Sequence, residues 1–113
     1  MLLLILKYLA VIATILTGAV SLIWPLRVRG FTGLDVVGGR GVTEIRSILG
    51  GVFIGLGVAV LLLNDPIAYQ TLGITYLFVA VVRTISMFGD KSIVQSNIIS
   101  VIAEVILGVI LIL

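Results

Sequence analysis

An all-α membrane protein, built as an up-and-down bundle of four transmembrane helices in one domain, is the fold class this sequence predicts. Of its 113 residues, 61% are hydrophobic and 11% charged, where ordinary soluble domains carry roughly 25% charged residues. Four apolar runs lie near 2–24, 46–63, 67–88 and 94–113. Each comes close to the roughly 20 residues a helix needs to cross a bilayer. The second and third breaks between them are short and polar, so the helices they join are expected as antiparallel neighbours.

The first run opens with Leu2 to Leu6 ahead of Lys7. A cleavable signal places its basic residues before the apolar stretch, so a retained helix is expected. Trp24-Pro25 ends it at an interface, where an indole ring sits at headgroup level. The connection 25–45 holds glycines at 30, 33, 38, 39 and 41. Phe31, Leu34, Val36 and Val37 are placed in a short interfacial segment, with Gly-Gly-Arg-Gly at 38–41 as a flexible return. That stretch lacks the Lys-Ser/Thr ending of a phosphate-binding loop and follows no strand, so nucleotide binding is not expected. A basic loop on the membrane surface is the plain reading. The sharper alternative is a weak lipid-phosphate site, with Arg40 and Arg46 beside free amides at the start of the second helix.

Ser47, Gly51, Gly55 and Ala59 recur every four residues down the second helix. Small residues at that spacing let backbones approach closely in membranes, where apolar burial gains little. The first helix presents Ala10, Thr14 and Gly18, and beside them Ala13, Thr17 and Ser21. Helices one and two are therefore expected to pack tightly, or the ridge faces a second copy of the chain. Asn64-Asp65-Pro66 and Gly89-Asp90-Lys91 supply the two tight turns. The third helix carries Tyr69, Tyr76 and Arg83 at steps of seven; the fourth carries Ser96, Ser100, Glu104 and Gly108 at steps of four, on one face.

Basic residues set the orientation. Arg27, Arg29, Arg40 and Arg46 lie in the first connection and Lys91 in the third, while the second turn and the C-terminus have none. Both termini are expected outside the cytoplasm, in a multi-pass protein of the inner cell membrane.

The chain has no His and no Cys, which excludes disulfides, Cys/His zinc sites and His-dependent nucleophiles. No enzyme activity, cofactor or metal is expected. A net charge of +2 without any run of like charges gives no footprint for nucleic acid. The expected partners are membrane lipids, further copies of the chain or other membrane subunits.

Ionisable residues at membrane depth are costly and by default have a partner inside the protein. Arg83 and Glu104 form the obvious pair. Glu104 lies ten residues into its expected helix, roughly 15 Å, and Arg83 five residues from the same end, leaving an axial gap of about 7 Å. Side chains lean toward their own helix N-terminus, so the two lean toward each other. Direct contact or one bridging water would close the gap. Arg46 is a candidate third member, and Tyr76 and Ser100 are candidates to face a ligand there.

Glu44-Ile-Arg46, then Gly50-Gly51 and Gly55, then Arg83 in helix three and Glu104 in helix four, resemble the pattern of the domain of unknown function 4345 family of small four-helix bacterial membrane proteins. The layout is more distantly similar to DoxX-like four-helix proteins. The resemblance covers nearly the whole chain and implies the fold and one shared charged set, Arg46, Arg83 and Glu104. It implies no activity, because that family has none established. Small multidrug-resistance transporters share the length, but their essential carboxylate lies in the first helix, where this chain has none. Fluoride channels have an Arg after a Gly-Gly segment, whereas here Arg46 precedes Gly50.

The function expected from these residues is that of a structural or accessory membrane subunit, or a homo-oligomer. A binder or carrier of a small amphipathic molecule at Arg83 and Glu104 is the alternative, and proton-coupled transport ranks behind both. A pocket open to lipid beside Glu104 would favour the binder; a closely packed interior would favour the structural role.

Overall fold

The computed structural model describes residues 1–113. It is all-α, without a strand: α1 (Leu2–Ile23), a 3-10 turn (Pro25–Arg27), α2 (Val28–Thr32), α3 (Gly38–Leu63), α4 (Pro66–Gly89) and α5 (Gln95–Ile112). α1, α3, α4 and α5 are long and apolar enough to cross a membrane. Their outward faces are apolar as well: Leu62, Phe78, Ile85 and Phe88 are each at least two-thirds exposed. A water-soluble chain does not present such a continuous apolar surface, and lipid accounts for it. The protein is a multi-pass membrane protein.

Two compact units make up the chain, one of Met1–Ala10 with Asn64–Leu113 and the other Val11–Leu63. In the first, α4 and α5 pack antiparallel through paired glycines. A Cβ on Gly73 would lie 2.8 Å from the Gly108 carbonyl oxygen and 2.9 Å from Leu111 Cβ, and a Cβ on Gly108 would meet the Leu77 side chain. Leu72, Ala80, Met87 and Leu111 are buried in the same unit. α4 begins where Pro66 takes the first helical position and the Asp65 carboxylate accepts from the Ile67 amide at 2.8 Å. That cap satisfies one amide that a helix start leaves open. Asn64 precedes it at φ +45°, a left-handed conformation that Asn tolerates better than most side chains. At the other end the Ser92 amide reaches back to the Met87 carbonyl at 3.0 Å, with Lys91 left-handed between them. The start of α1 joins this unit through an aromatic contact. The Tyr8 and Tyr69 rings meet edge to face at 6.3 Å, Lys7 Nζ stands 5.9 Å from the Tyr69 ring centre, and the Tyr69 hydroxyl donates to Asn64 Oδ1 at 3.1 Å. The cation inside the first span thus has a π face beside it.

In the second unit the rest of α1 runs antiparallel to α3. Gly18 lies against the Gly50 carbonyl and Ile54, Gly50 against Leu22, and Gly57 against Ile15 and Val11. Helices one and two do pack closely, but not on the expected ridge. Ser47, Gly51, Gly55 and Ala59 are all exposed, and the contact runs through Gly50 and Gly57 instead. The cause is the backbone: Ile45–Val52 is a π-helix. Its i→i+5 bonding widens the turns, so the buried face steps from Ile45 to Gly50; the α-helical continuation buries Gly57 and Val60, a face that Gly55 and Ala59 lie off.

The first connection also differs from expectation. α3 begins at Gly38 rather than near 46, so Gly-Gly-Arg-Gly is the first turn of a helix, not a flexible return. Arg40 pairs with Glu44 one turn on, a geometry that supports helix and offsets the poor propensity of the glycines. The shortened connection is itself partly helical, through α2, closed by Gly33 at φ +75°. Trp24 carries the Arg27 guanidinium over its ring at 5.4 Å, and Arg29 pairs with Asp35 at 3.6 Å.

Hydroxyls within the spans are satisfied locally. Thr17, Thr71, Thr75, Thr84 and Ser100 each donate to the carbonyl four residues back. Lipid offers no partner, and this back-bonding removes the need for one.

Candidate functional site

The deepest ionisable groups of α4 and α5 meet inside the first unit. Arg83 Nε donates to Glu104 Oε1 at 2.7 Å, and Nη2 stands 2.7 Å from the same oxygen in the ion pair. No axial gap remains between them, so no bridging water is required. The Arg83 Nη1 donates to Asn97 Oδ1 at 3.2 Å, and Asn97 Nδ2 donates to the Ser92 carbonyl at 2.8 Å. Asn97 therefore ties the guanidinium to the turn that joins the two helices. It lies seven residues before Glu104, on the same helical face.

The pair is asymmetric. The Glu104 side chain is 10% exposed and the Arg83 side chain 34%. Both Arg83 nitrogens converge on one carboxylate oxygen, and the other, Oε2, is buried with no hydrogen-bond partner. An arginine fork across both oxygens would have satisfied them together. An orphaned buried acceptor costs about 1–3 kcal/mol, more when charged.

Arg83 also faces outward. An open groove of about 490 Å³ runs along α4 and is lined by Thr75, Phe78, Val79, Val82, Arg83 and Ser86, with Asn97 from α5. The lining is mainly apolar, and Arg83 is its one charged member. Glu104 stands behind the guanidinium and is not part of the lining. The groove thus sets the apolar side chains of Phe78, Val79 and Val82 beside one guanidinium.

Tyr76 and Ser100, the expected ligand-facing residues, do not line the groove. Both are half-buried, and Ser100 donates to Ser96 within its own helix. Thr75, Ser86 and Asn97 supply the polar lining instead. Adjacent positions on a helix point about 100° apart, so exchanging Tyr76 for Thr75 is a small error in sequence and a large one in direction. Arg46 belongs to the other unit, where it is exposed and forms no ion pair. The acidic and basic residues of the chain form no metal-ligating cluster.

No protein-family model, no curated protein and no solved structure matches this chain. Its chemistry rests on the geometry above.

Proposed function

We propose that this protein binds an amphipathic molecule from the membrane along α4, with the polar head at Arg83, and performs no catalysis of its own. The groove with the partly exposed Arg83 side chain in its wall carries the reading. A pair serving only to fix helix packing needs no route to the outside, whereas this one shows a third of its arginine to an apolar trough. The composition agrees, since a chain without His or Cys lacks the usual catalytic groups. The protein as purified in mild detergent is expected to retain a lipid-sized ligand in native mass spectrometry. Val79→Trp with Val82→Trp, which fills the groove from exposed positions, should release it without lowering the melting temperature. Wild-type protein carrying no such mass, or a filled groove that retains it, defeats the proposal.

The exposed ridge Ser47, Gly51, Gly55 and Ala59 favours a second role, that of a homo-oligomer or accessory subunit. Nothing in the chain comes within 4 Å of a Cβ placed on Gly55, which leaves room for another helix. Particle size in mild detergent should exceed a monomer and fall to one in Gly55→Leu. A wild-type particle that is already monomeric, with nothing co-purifying, rejects this role.

The proposed setting is the bacterial inner membrane, with the first and third connections in the cytoplasm and both termini outside. The excess of arginine in the first connection supports this orientation. A C-terminal reporter active only in the cytoplasm would reverse the orientation.

A further inference from the structure

Charge and donor count at Arg83 carry the reading one step further, to the chemical class of the ligand; the step rests on the proposed amphiphile site. A guanidinium has five N–H donors. Nε–H is committed to Glu104 Oε1 and one Nη1–H to Asn97 Oδ1, while Nη2 lies 2.7 Å from the same Glu104 oxygen in the ion pair. One N–H on each terminal nitrogen remains. Its positive charge is already matched by Glu104, and the other polar residues of the groove, Thr75, Ser86 and Asn97, are uncharged.

The geometry points to an uncharged head group that accepts hydrogen bonds, such as an ester or amide carbonyl or a hydroxyl, on an apolar chain. Such a head takes up the two spare donors and leaves the site neutral. An anionic head would have to compete with Glu104 for the one cation, and whichever carboxylate or phosphate lost would be left unmatched at low dielectric. A cationic head would meet the guanidinium itself.

Two lipids with identical chains separate these cases. Dioleoylglycerol and dioleoylphosphatidic acid differ only in the phosphate, and their binding to the full chain in mild detergent is read by native mass spectrometry and by the shift in melting temperature. Wild-type protein is expected to prefer dioleoylglycerol by about tenfold or more. Glu104→Gln keeps the shape and leaves one uncompensated positive charge, so the preference should shrink at least tenfold or invert toward the phosphatidic acid. A wild-type preference for phosphatidic acid overturns the inference and leaves the amphiphile site standing. Binding of neither lipid, nor of any co-purified one, removes the site itself and the inference with it. If Glu104→Gln does not fold, the wild-type ratio decides alone. Arg83→Gln/Glu104→Gln, neutral but without the guanidinium donors, then gives the second test: it should lose dioleoylglycerol, and undiminished binding counts against the inference.

Discussion

At the scale of single residues, the decisive fact is that Arg83 and Glu104 are unequal partners. Removing either member of a buried pair leaves the other stranded. The cost here is about 3 kcal/mol, the low end of the usual range, because a third of the arginine side chain is exposed. Glu104→Gln and Arg83→Met should each lower the melting temperature in detergent. The double variant should recover most of that loss, since no charge is left at depth; losses that simply add would show that the two residues act independently. Glycine contacts make a second test. Gly73→Ala drives a methyl against the Gly108 carbonyl and Leu111 and should cost about 1–3 kcal/mol as overpacking. Gly39→Ala, which meets nothing within 4 Å, should be neutral or slightly stabilising by helix propensity. Equal effects of the two on detergent melting would contradict the packing described.

At the scale of helices, most boundaries were legible because their signals are chemical. Asn64-Asp65-Pro66 marks a tight turn in the sequence, and in the structure it supplies a left-handed residue, a cap and a first helical position. The start of α3 was hidden, because three glycines between 38 and 41 argue against helix and the Arg40–Glu44 pairing that overrides them shows only once the turn is formed. The Ser47 to Ala59 ridge lies off the contact with α1 for a different reason. Periodicity arguments assume 3.6 residues per turn, and Ile45–Val52 does not have it. In the site, Arg83 and Glu104 were visible as the ionisable residues deep in the third and fourth apolar runs. Asn97 carries no charge and was overlooked. Residue polarity points to Tyr76 and Ser100, whereas the close Gly73–Gly108 approach decides which side of α4 faces α5 and leaves Thr75 and Asn97 on the groove.

At the scale of the whole molecule, four membrane-length helices are held by few internal contacts; no span has more than 28% of its apolar window buried within the chain. Folding in this chain therefore depends on lipid covering what the protein leaves open. The aromatic contact of Tyr8 and Lys7 with Tyr69 links the first turns of α1 to α4. Tyr8→Ala should loosen that link, seen as faster amide exchange at the start of α1 while α5 keeps its protection. Unchanged exchange in Tyr8→Ala would mean that the ring contact contributes nothing there.

The wide turns at Ile45–Val52 give α3 slack that the other spans lack. A π segment holds the equivalent of one inserted residue, so a one-residue deletion there should let the helix tighten to ordinary α geometry with its flanks still in register. The same deletion between positions 74 and 82 would rotate Arg83 by about 100° relative to Gly73 and tear the guanidinium from Glu104. Length variants of this protein should thus be tolerated in α3 and rejected in α4, a difference that a deletion scan scored by membrane expression would expose.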